Sequence, residues 1–178
     1  MDKIYMLAGK ARHGKDTTGE FIKEYYEKKG KKVVTLQLSS PLKYYANKVL
    51  GWDGNEETKP REFLQKVGTD IIRGQIDEKF LIKRLIADIK VLSYFCDIIV
   101  VTDVRIPLEF EEIEKEYDNV VKVLVRRTNF ETVLTGKEQK HLTETALDTY
   151  SNYDYIIEND STLESLKSKV EKLLEVNK

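Results

Sequence analysis

Gly9-Lys10-Ala11-Arg12-His13-Gly14-Lys15-Asp16-Thr17 follows the apolar run Ile4 to Ala8 and precedes a segment with helical spacing, Thr18, Phe21, Ile22 and Tyr25. Strand, glycine loop and helix in that order form the context that a phosphate-binding loop requires. The two glycines let the chain curl until backbone N–H groups point inward at an anion, and the helix that follows adds the positive end of its dipole. Lys15 supplies a point charge able to reach the outer phosphates of a nucleotide. Where such loops usually place a Ser or Thr directly after the lysine, Asp16 stands, and the hydroxyl residue Thr17 comes one position later. A glycine turn carrying a surface lysine is the plainer alternative. The strand and helix on either side favour the phosphate loop.

Outward from the loop, strands and helices alternate. Strands are predicted at 3–8, 32–38, 97–104, 120–126 and 154–158, rich in Val and Ile and in several cases almost continuously apolar, as strands covered on both faces are. Helical patterns lie between them: from about Pro41 to Leu50; over 61–73 with Phe63, Leu64, Val67 and Ile71 on one side; over 78–92 with Leu81, Leu85, Ile89 and Leu92; from near Pro107; and a last one with Leu163, Leu166, Val170 and Leu173 behind a Ser161/Thr162 cap. The fold class is therefore α/β, a parallel sheet of about five strands sandwiched by helices with right-handed crossovers. No repeat, low-complexity tract or linker interrupts it, so one domain over 1–178 is expected. The glycine- and charge-rich stretch 51–59 reads as a loop.

The chain has 178 residues, 34% of them charged, yet the net charge is only -1. That balance gives no bulk attraction to a nucleic-acid polymer or to an anionic membrane. Cys96 stands alone, which excludes an intrachain disulfide and suits a reducing compartment. The N-terminus runs straight into a predicted core strand, so no secretory leader is expected, and no apolar segment reaches membrane-spanning length. The expected location is the cytoplasm.

Ligands of open parallel sheets bind at the carboxyl ends of the strands. The second predicted strand ends in Gln37-Leu38-Ser39-Ser40-Pro41-Leu42-Lys43, the third in Thr102-Asp103-Val104-Arg105, the fourth in Arg126-Arg127 and the fifth in Glu158-Asn159-Asp160. Asp103 follows four consecutive apolar residues, so its carboxylate emerges beside the loop. There it can hold Mg²⁺, directly or through water, or it can cap a turn. Arg105 can clamp a phosphate through two N–H groups, and its alternative is a surface arginine ahead of Pro107. Segment 128–141, with Lys137, Lys140 and His141, is polar and lacks apolar periodicity. It reads as a mobile basic lid over 127–142 or as a solvated loop. His141 has no companion ligands nearby that would suit zinc.

Together these residues resemble a deoxynucleoside monophosphate kinase of the bacteriophage type, in the P-loop kinase superfamily. The resemblance rests on Gly14-Lys15-Asp16-Thr17-Thr18, Gln37-Leu38-Ser39-Ser40-Pro41-Leu42-Lys43, Leu64-Gln65-Lys66-Val67-Gly68-Thr69-Asp70 with Arg73, Val100-Val101-Thr102-Asp103-Val104-Arg105, His141-Leu142-Thr143-Glu144 and Ile157-Glu158-Asn159-Asp160. These occur in the family's order across nearly the whole chain. Nucleoside monophosphate kinases also place the loop threonine one residue late. The first motif alone marks only the superfamily, whereas its combination with the Gly68-Thr69-Asp70 helix and the Asp103 strand end is much more specific.

The resemblance implies transfer of the γ-phosphoryl group of ATP to a deoxynucleoside 5′-monophosphate, with Mg²⁺ as cofactor. It implies that Gly9, Arg12, His13, Gly14, Lys15, Asp16, Thr17 and Thr18 hold the ATP phosphates and that Asn159 lies near the adenine. Residues 39–93 would form the acceptor side, with Lys43 and Arg73 on the acceptor phosphate and Gln65 and Thr69 on base or sugar. Arg105 would bridge both phosphates, Lys15, Asp103, Arg105 and Arg127 would serve the chemistry, and Asp16 and Asp103 would serve the metal. An acceptor phosphate is already ionised at neutral pH, so no general base is required. Small-molecule nucleotides are then the partners, and monomer and homodimer both stay open.

Two other readings compete. Animal-type phosphomevalonate kinases resemble the chain in the Gly-Lys-Asp loop, the Leu38-Ser39-Ser40-Pro41 stretch and the Asp103-Val104-Arg105 strand end. Those enzymes tend to double the arginine where Ile106 stands here. Dephospho-coenzyme A kinase is more distant. A nucleotide-binding module without turnover is a different class, and it would not need Lys15, Asp103, Arg105 and a basic lid together.

Overall fold

Ile98 to Val101 form an unbroken apolar run, and such a run is stable as a strand only when both of its faces are covered. The computed structural model, which describes residues 1–128, 130–132 and 134–176 (and of Lys137 only the backbone), covers it that way. Strand β3, Ile98–Val104, lies between β1, Lys3–Ala8, and β2, Val33–Leu36; β4, Val120–Arg126, and β5, Tyr155–Glu158, continue the sheet on the far side of β1. The order is β2-β3-β1-β4-β5 and every pairing is parallel.

Alternation along β1 feeds two cores. Ile4 and Met6 join Leu42, Leu85, Ile99 and Phe110 under α2, Ser40–Leu50, α4, Phe80–Leu92, and α5, Pro107–Glu114. Tyr5 and Leu7 turn the other way and pack with Phe21, Ile22, Val123, Leu166 and Val170 under α1, Lys15–Glu27, and α8, Leu163–Val176. Each of these wholly buried β1 side chains contributes about 1.5–3 kcal/mol of burial. β1 is thereby the most firmly fixed strand, and the glycine loop hangs from its end.

The element edges differ from the sequence expectation where a side chain takes over the backbone's hydrogen bonding. β2 stops at Leu36 because the Leu38 N–H donates to Asp103 Oδ1 at 2.8 Å, leaving the ladder. Asp154 stays outside β5, and its Oδ2 accepts from the Lys122 N–H at 2.7 Å.

The helix expected over 61–73 is α3, Arg61–Gln65, followed by a π-helix, Lys66–Ile76. The last turn shows the wide spacing, with the Asp77 N–H donating to the Ile72 carbonyl at 2.8 Å. Wider turns rotate the inward position, so Ile72 is buried and Ile71 is not. Gly68 permits this packing, since a Cβ there would come within 2.8 Å of Leu42 Cδ1. Gly68 and Gly74 also weaken any preference for a regular α-helix.

Segment 128–141 is more structured than a bare loop. It holds α6, Gly136–Gln139, and leads into α7, Leu142–Thr145. Thr135 caps α6, its N–H donating to Glu138 Oε2 at 2.8 Å while its Oγ1 accepts from the Glu138 N–H at 3.3 Å. Asn129, Val133 and the Lys137 side chain, all inside the expected lid, lie outside the described residues. No helix among the described residues is long and apolar enough to cross a membrane.

Candidate active site

The loop between β1 and α1 is built from residues that tolerate left-handed backbone. Gly9 has φ +145°, and a Cβ on it would sit 2.3 Å from the Val125 carbonyl oxygen, so only glycine lets the loop leave β1 against β4. Gly14 has φ +100°, where a Cβ would meet Asn159 Nδ2 at 2.7 Å. Asn159 Nδ2 donates to the His13 carbonyl at 3.1 Å and so braces the loop from the β5 side. Lys15 starts α1 with its side chain buried and its Nζ donating to the Lys10 carbonyl at 2.8 Å. Burial pulls the Lys15 ammonium down to about 7, with the Arg105 charge adding to the fall and Glu144, Asp16 and Asp103 opposing it. Thr18 is wholly buried and its hydroxyl has no partner among the described residues.

Two cavities flank the loop. One, of about 510 Å³, is lined by Arg12, Lys15, Asp16, Lys43, Gln65, Thr69, Arg73, Asp103 and Arg105, which brings every expected acceptor residue together with the expected metal pair. The other, of about 730 Å³, is lined by Gly9, His13, Arg105 and Arg127, with Tyr150 and Tyr153 behind them. Gly14, Thr17, Thr18 and Asn159 line neither.

Around the first cavity the polar groups hold one another. Both Asp103 oxygens accept backbone N–H groups, Leu38 at 2.8 Å and Ser39 at 3.0 Å, so this carboxylate ties the end of β3 to the start of α2. Gln37 Nε2 donates to Thr102 Oγ1 at 3.1 Å and, more weakly, to Asp16 Oδ1 at 3.3 Å, while Lys43 Nζ donates to Gln37 Oε1. Arg73 gives Nη2 to Glu109 Oε1 at 2.5 Å, and its Nη1 is buried without a partner among the described residues. Arg105 gives Nη1 to the Gly9 carbonyl at 3.2 Å and to Glu144 Oε1 at 2.8 Å.

The paired arginines separate. Arg126 Nε donates to Glu158 Oε1 at 2.9 Å across β4 and β5. Arg127 instead lies over the Phe130 ring at 4.6 Å, and its backbone N–H donates to His13 Nδ1 at 3.3 Å. His13 also meets Phe130 edge-on at 6.1 Å, and burial first, then the Lys15 and Lys10 charges, pull its imidazole below the usual histidine range. Of the two, Arg127 is the one that reaches the loop.

A family model for deoxynucleotide monophosphate kinase matches residues 46–170. The chain belongs to that family. The match bears out the resemblance read from the motifs. The chain matches no curated protein. Among solved structures it is similar to the Mycobacterium tuberculosis APS kinase CysC Cys556Ala mutant, at 14% identity and TM-score 0.57 over 97% of this chain and 96% of that one. The same kinase in complex with AMPPNP and APS gives 13% identity and TM-score 0.58 over 97% of both chains. Shikimate kinase from Aquifex aeolicus gives 14% identity and TM-score 0.54 over 98% and 97%. At these identities the likeness shows a shared P-loop kinase fold.

In this deoxynucleotide monophosphate kinase family member, three carboxylates matter that sequence reasoning passed over or left without a role. Glu109 is fully buried and accepts the Arg105 and Ile106 N–H groups at 2.6 and 3.2 Å besides Arg73. Burial pushes its carboxyl up, and those donors pull it back. Its signal was available, a Glu two residues after Pro107 at the head of a helix, the spacing of a capping residue. Glu56 gathers Lys59 at 2.8 Å and Arg61 at 2.5 Å at the cavity mouth, a contact that loop sequence does not announce. Glu144 joins Arg105 to the Ala11 N–H, which donates to its Oε2 at 3.1 Å.

Proposed function

We propose that this protein transfers the γ-phosphoryl group of ATP to a deoxynucleoside 5′-monophosphate, giving the diphosphate. The observation that carries the proposal is the meeting of Lys15, Lys43, Arg73 and Arg105 around one cavity beside the glycine loop. Four basic side chains converging on one cavity suit a ligand that carries several phosphate charges. In this reading Lys15 and the loop backbone hold the donor phosphates, Lys43 and Arg73 the acceptor phosphate, Gln65 and Thr69 its sugar or base. Arg105 spans the two phosphates. The acceptor side is 39–93, the lid is 127–142, and one domain covers 1–178. Arg127, free of the Glu158 pair that holds Arg126, is the lid arginine placed to approach the transferring group.

The donor set suits a hard cation. Asp16 and Asp103 both line the first cavity, and Asp103 keeps lone pairs that its two N–H contacts do not use. Bound there with phosphate and water oxygens, Mg²⁺ would neutralise charge on the transferring group.

The test is ADP release measured with dAMP, dGMP, dCMP, dTMP and phosphomevalonate in turn. Turnover of at least one deoxynucleotide supports the proposal, and turnover of phosphomevalonate alone overturns it.

A pH dependence follows from Lys15. Bound phosphate favours the ammonium, so the lysine titrates higher in the complex than its value of about 7 in the free protein. Binding therefore takes up a proton above that value, and ATP affinity falls as pH rises from about 7 to 9, by as much as tenfold per unit. The γ-phosphate, with a pKa near about 6, is already ionised through that range. Titration calorimetry in buffers of different ionisation enthalpy reads the uptake directly; affinity that stays level would place the ammonium away from the phosphates.

A further inference from the structure

We propose that Glu144 is a positioning residue for phosphoryl transfer: its carboxylate, bridging the Ala11 N–H and the Arg105 guanidinium, fixes that guanidinium by one edge and leaves the other edge to the phosphates. The inference rests on the kinase reading above and adds a residue to it.

Geometry carries the argument. The two oxygens of Glu144 serve two different elements, Oε1 taking Arg105 Nη1 at 2.8 Å and Oε2 taking the glycine-loop N–H of Ala11 at 3.1 Å. The Gly9 carbonyl takes the same Arg105 Nη1 at 3.2 Å, so two acceptors from separate parts of the chain hold one nitrogen. Among the described residues every hydrogen bond of the Arg105 side chain passes through that nitrogen. Nε and Nη2 remain as a bidentate edge, the arrangement that matches a phosphate. Arg105 and Glu144 each line both cavities and so stand in the wall between them.

Burial makes the contact meaningful. The Glu144 side chain is only 8% exposed, against 23% for Arg105. A carboxylate so placed is costly unless paired, and here both oxygens are paired. α7 presents it from a fixed start, since the His141 ring caps that helix by accepting the Thr143 N–H at 3.3 Å. The charge runs against expectation for a phosphate site, which would repel a carboxylate. A residue kept there despite repulsion earns its place by what it holds.

The experiment is a double-mutant cycle in the full chain: Glu144→Ala, Glu144→Gln, Arg105→Ala and the Glu144→Ala/Arg105→Ala pair. Each is assayed for ADP release with an accepted deoxynucleotide and for ATP binding by calorimetry, with thermal melting as the folding check. Glu144→Ala is expected to lower kcat/KM for the acceptor by about a hundredfold, the cost of misplacing a reacting-centre group by an ångström. ATP affinity is expected to change by less than about tenfold, the scale of one hydrogen bond. Adding Glu144→Ala to Arg105→Ala is expected to cost nothing further, because the group being positioned is gone. Glu144→Gln, whose carbonyl oxygen still accepts from Arg105, recovers part of the loss, and it carries the comparison if the alanine variant does not fold.

Additive losses in the cycle overturn the positioning role. So does unchanged turnover with tighter ATP binding, which would make Glu144 a competitor for the phosphate site. A wild-type chain that releases no ADP with any deoxynucleotide overturns the kinase reading, and this inference with it. A wild-type chain that turns over while both Glu144 variants keep its rate overturns the positioning role alone.

Discussion

Lys15→Ala is expected to lower turnover by about a hundredfold or more, the usual loss when a preorganised charge is removed from a developing anion. Lys15 is buried, and its Nζ is already held on the Lys10 carbonyl at 2.8 Å, so under the proposed reaction the group would need a proton but little movement to meet the phosphates. The loop itself does not depend on the side chain. Gly9 and Gly14 set its backbone, and Asn159 braces it through the His13 carbonyl. Loss of the buried stem costs packing, while loss of a desolvated charge returns stability, so the two effects oppose each other. The melting temperature is expected to move by only a few degrees, roughly the shift of a 1 kcal/mol change. Near-normal turnover in this variant would mean that the loop is not the ATP site.

Arg105→Ala is expected to lower kcat/KM for the acceptor by about a hundredfold or more while changing ATP affinity much less. The side chain lines both cavities, and under the proposed reaction its contacts would form fully only with donor and acceptor both present. An interaction of that kind appears in kcat and in acceptor KM before it appears in donor binding. Glu144, left with an unpaired oxygen, also costs the fold about 1–3 kcal/mol, which thermal melting reads apart from turnover. Steady-state kinetics beside calorimetric ATP binding separate acceptor from donor effects. A loss confined to ATP affinity would contradict the bridging role.

Most of the sheet was legible because its strands are apolar runs bounded by polar punctuation, and β1 and β4 fall where the pattern put them. The glycine loop was legible for the same reason, a local pattern with a local cause. What escaped was set by distant partners. β2 ends early because Asp103, more than sixty residues away, captures its last N–H groups. A period of 3.6 residues pointed to Ile71, whereas the wider turns of the π-helix bury Ile72 instead. Arg126 and Arg127 are indistinguishable in sequence, and only the neighbouring strand, with Glu158, tells them apart. Glu144 was visible as a motif letter but not as a contact, since Ala11 and Arg105 come to it from two other places in the chain.

The Asp103 carboxylate has a mechanical consequence. By gripping Leu38 and Ser39 it welds the β2–α2 corner to the middle of the sheet, so that corner behaves as the fixed jaw of a clamp. The chain reaches open surface farther on, between Gly51 at φ +68° and Gly54 at φ +91°, where an added Cβ would touch nothing. Exposed turns of this kind accept extra chain without disturbing what they join. The rim of the cavity can therefore be lengthened or recut there while its floor keeps its shape, which makes 51–59 the natural place for one kinase frame to be refitted to a different small molecule.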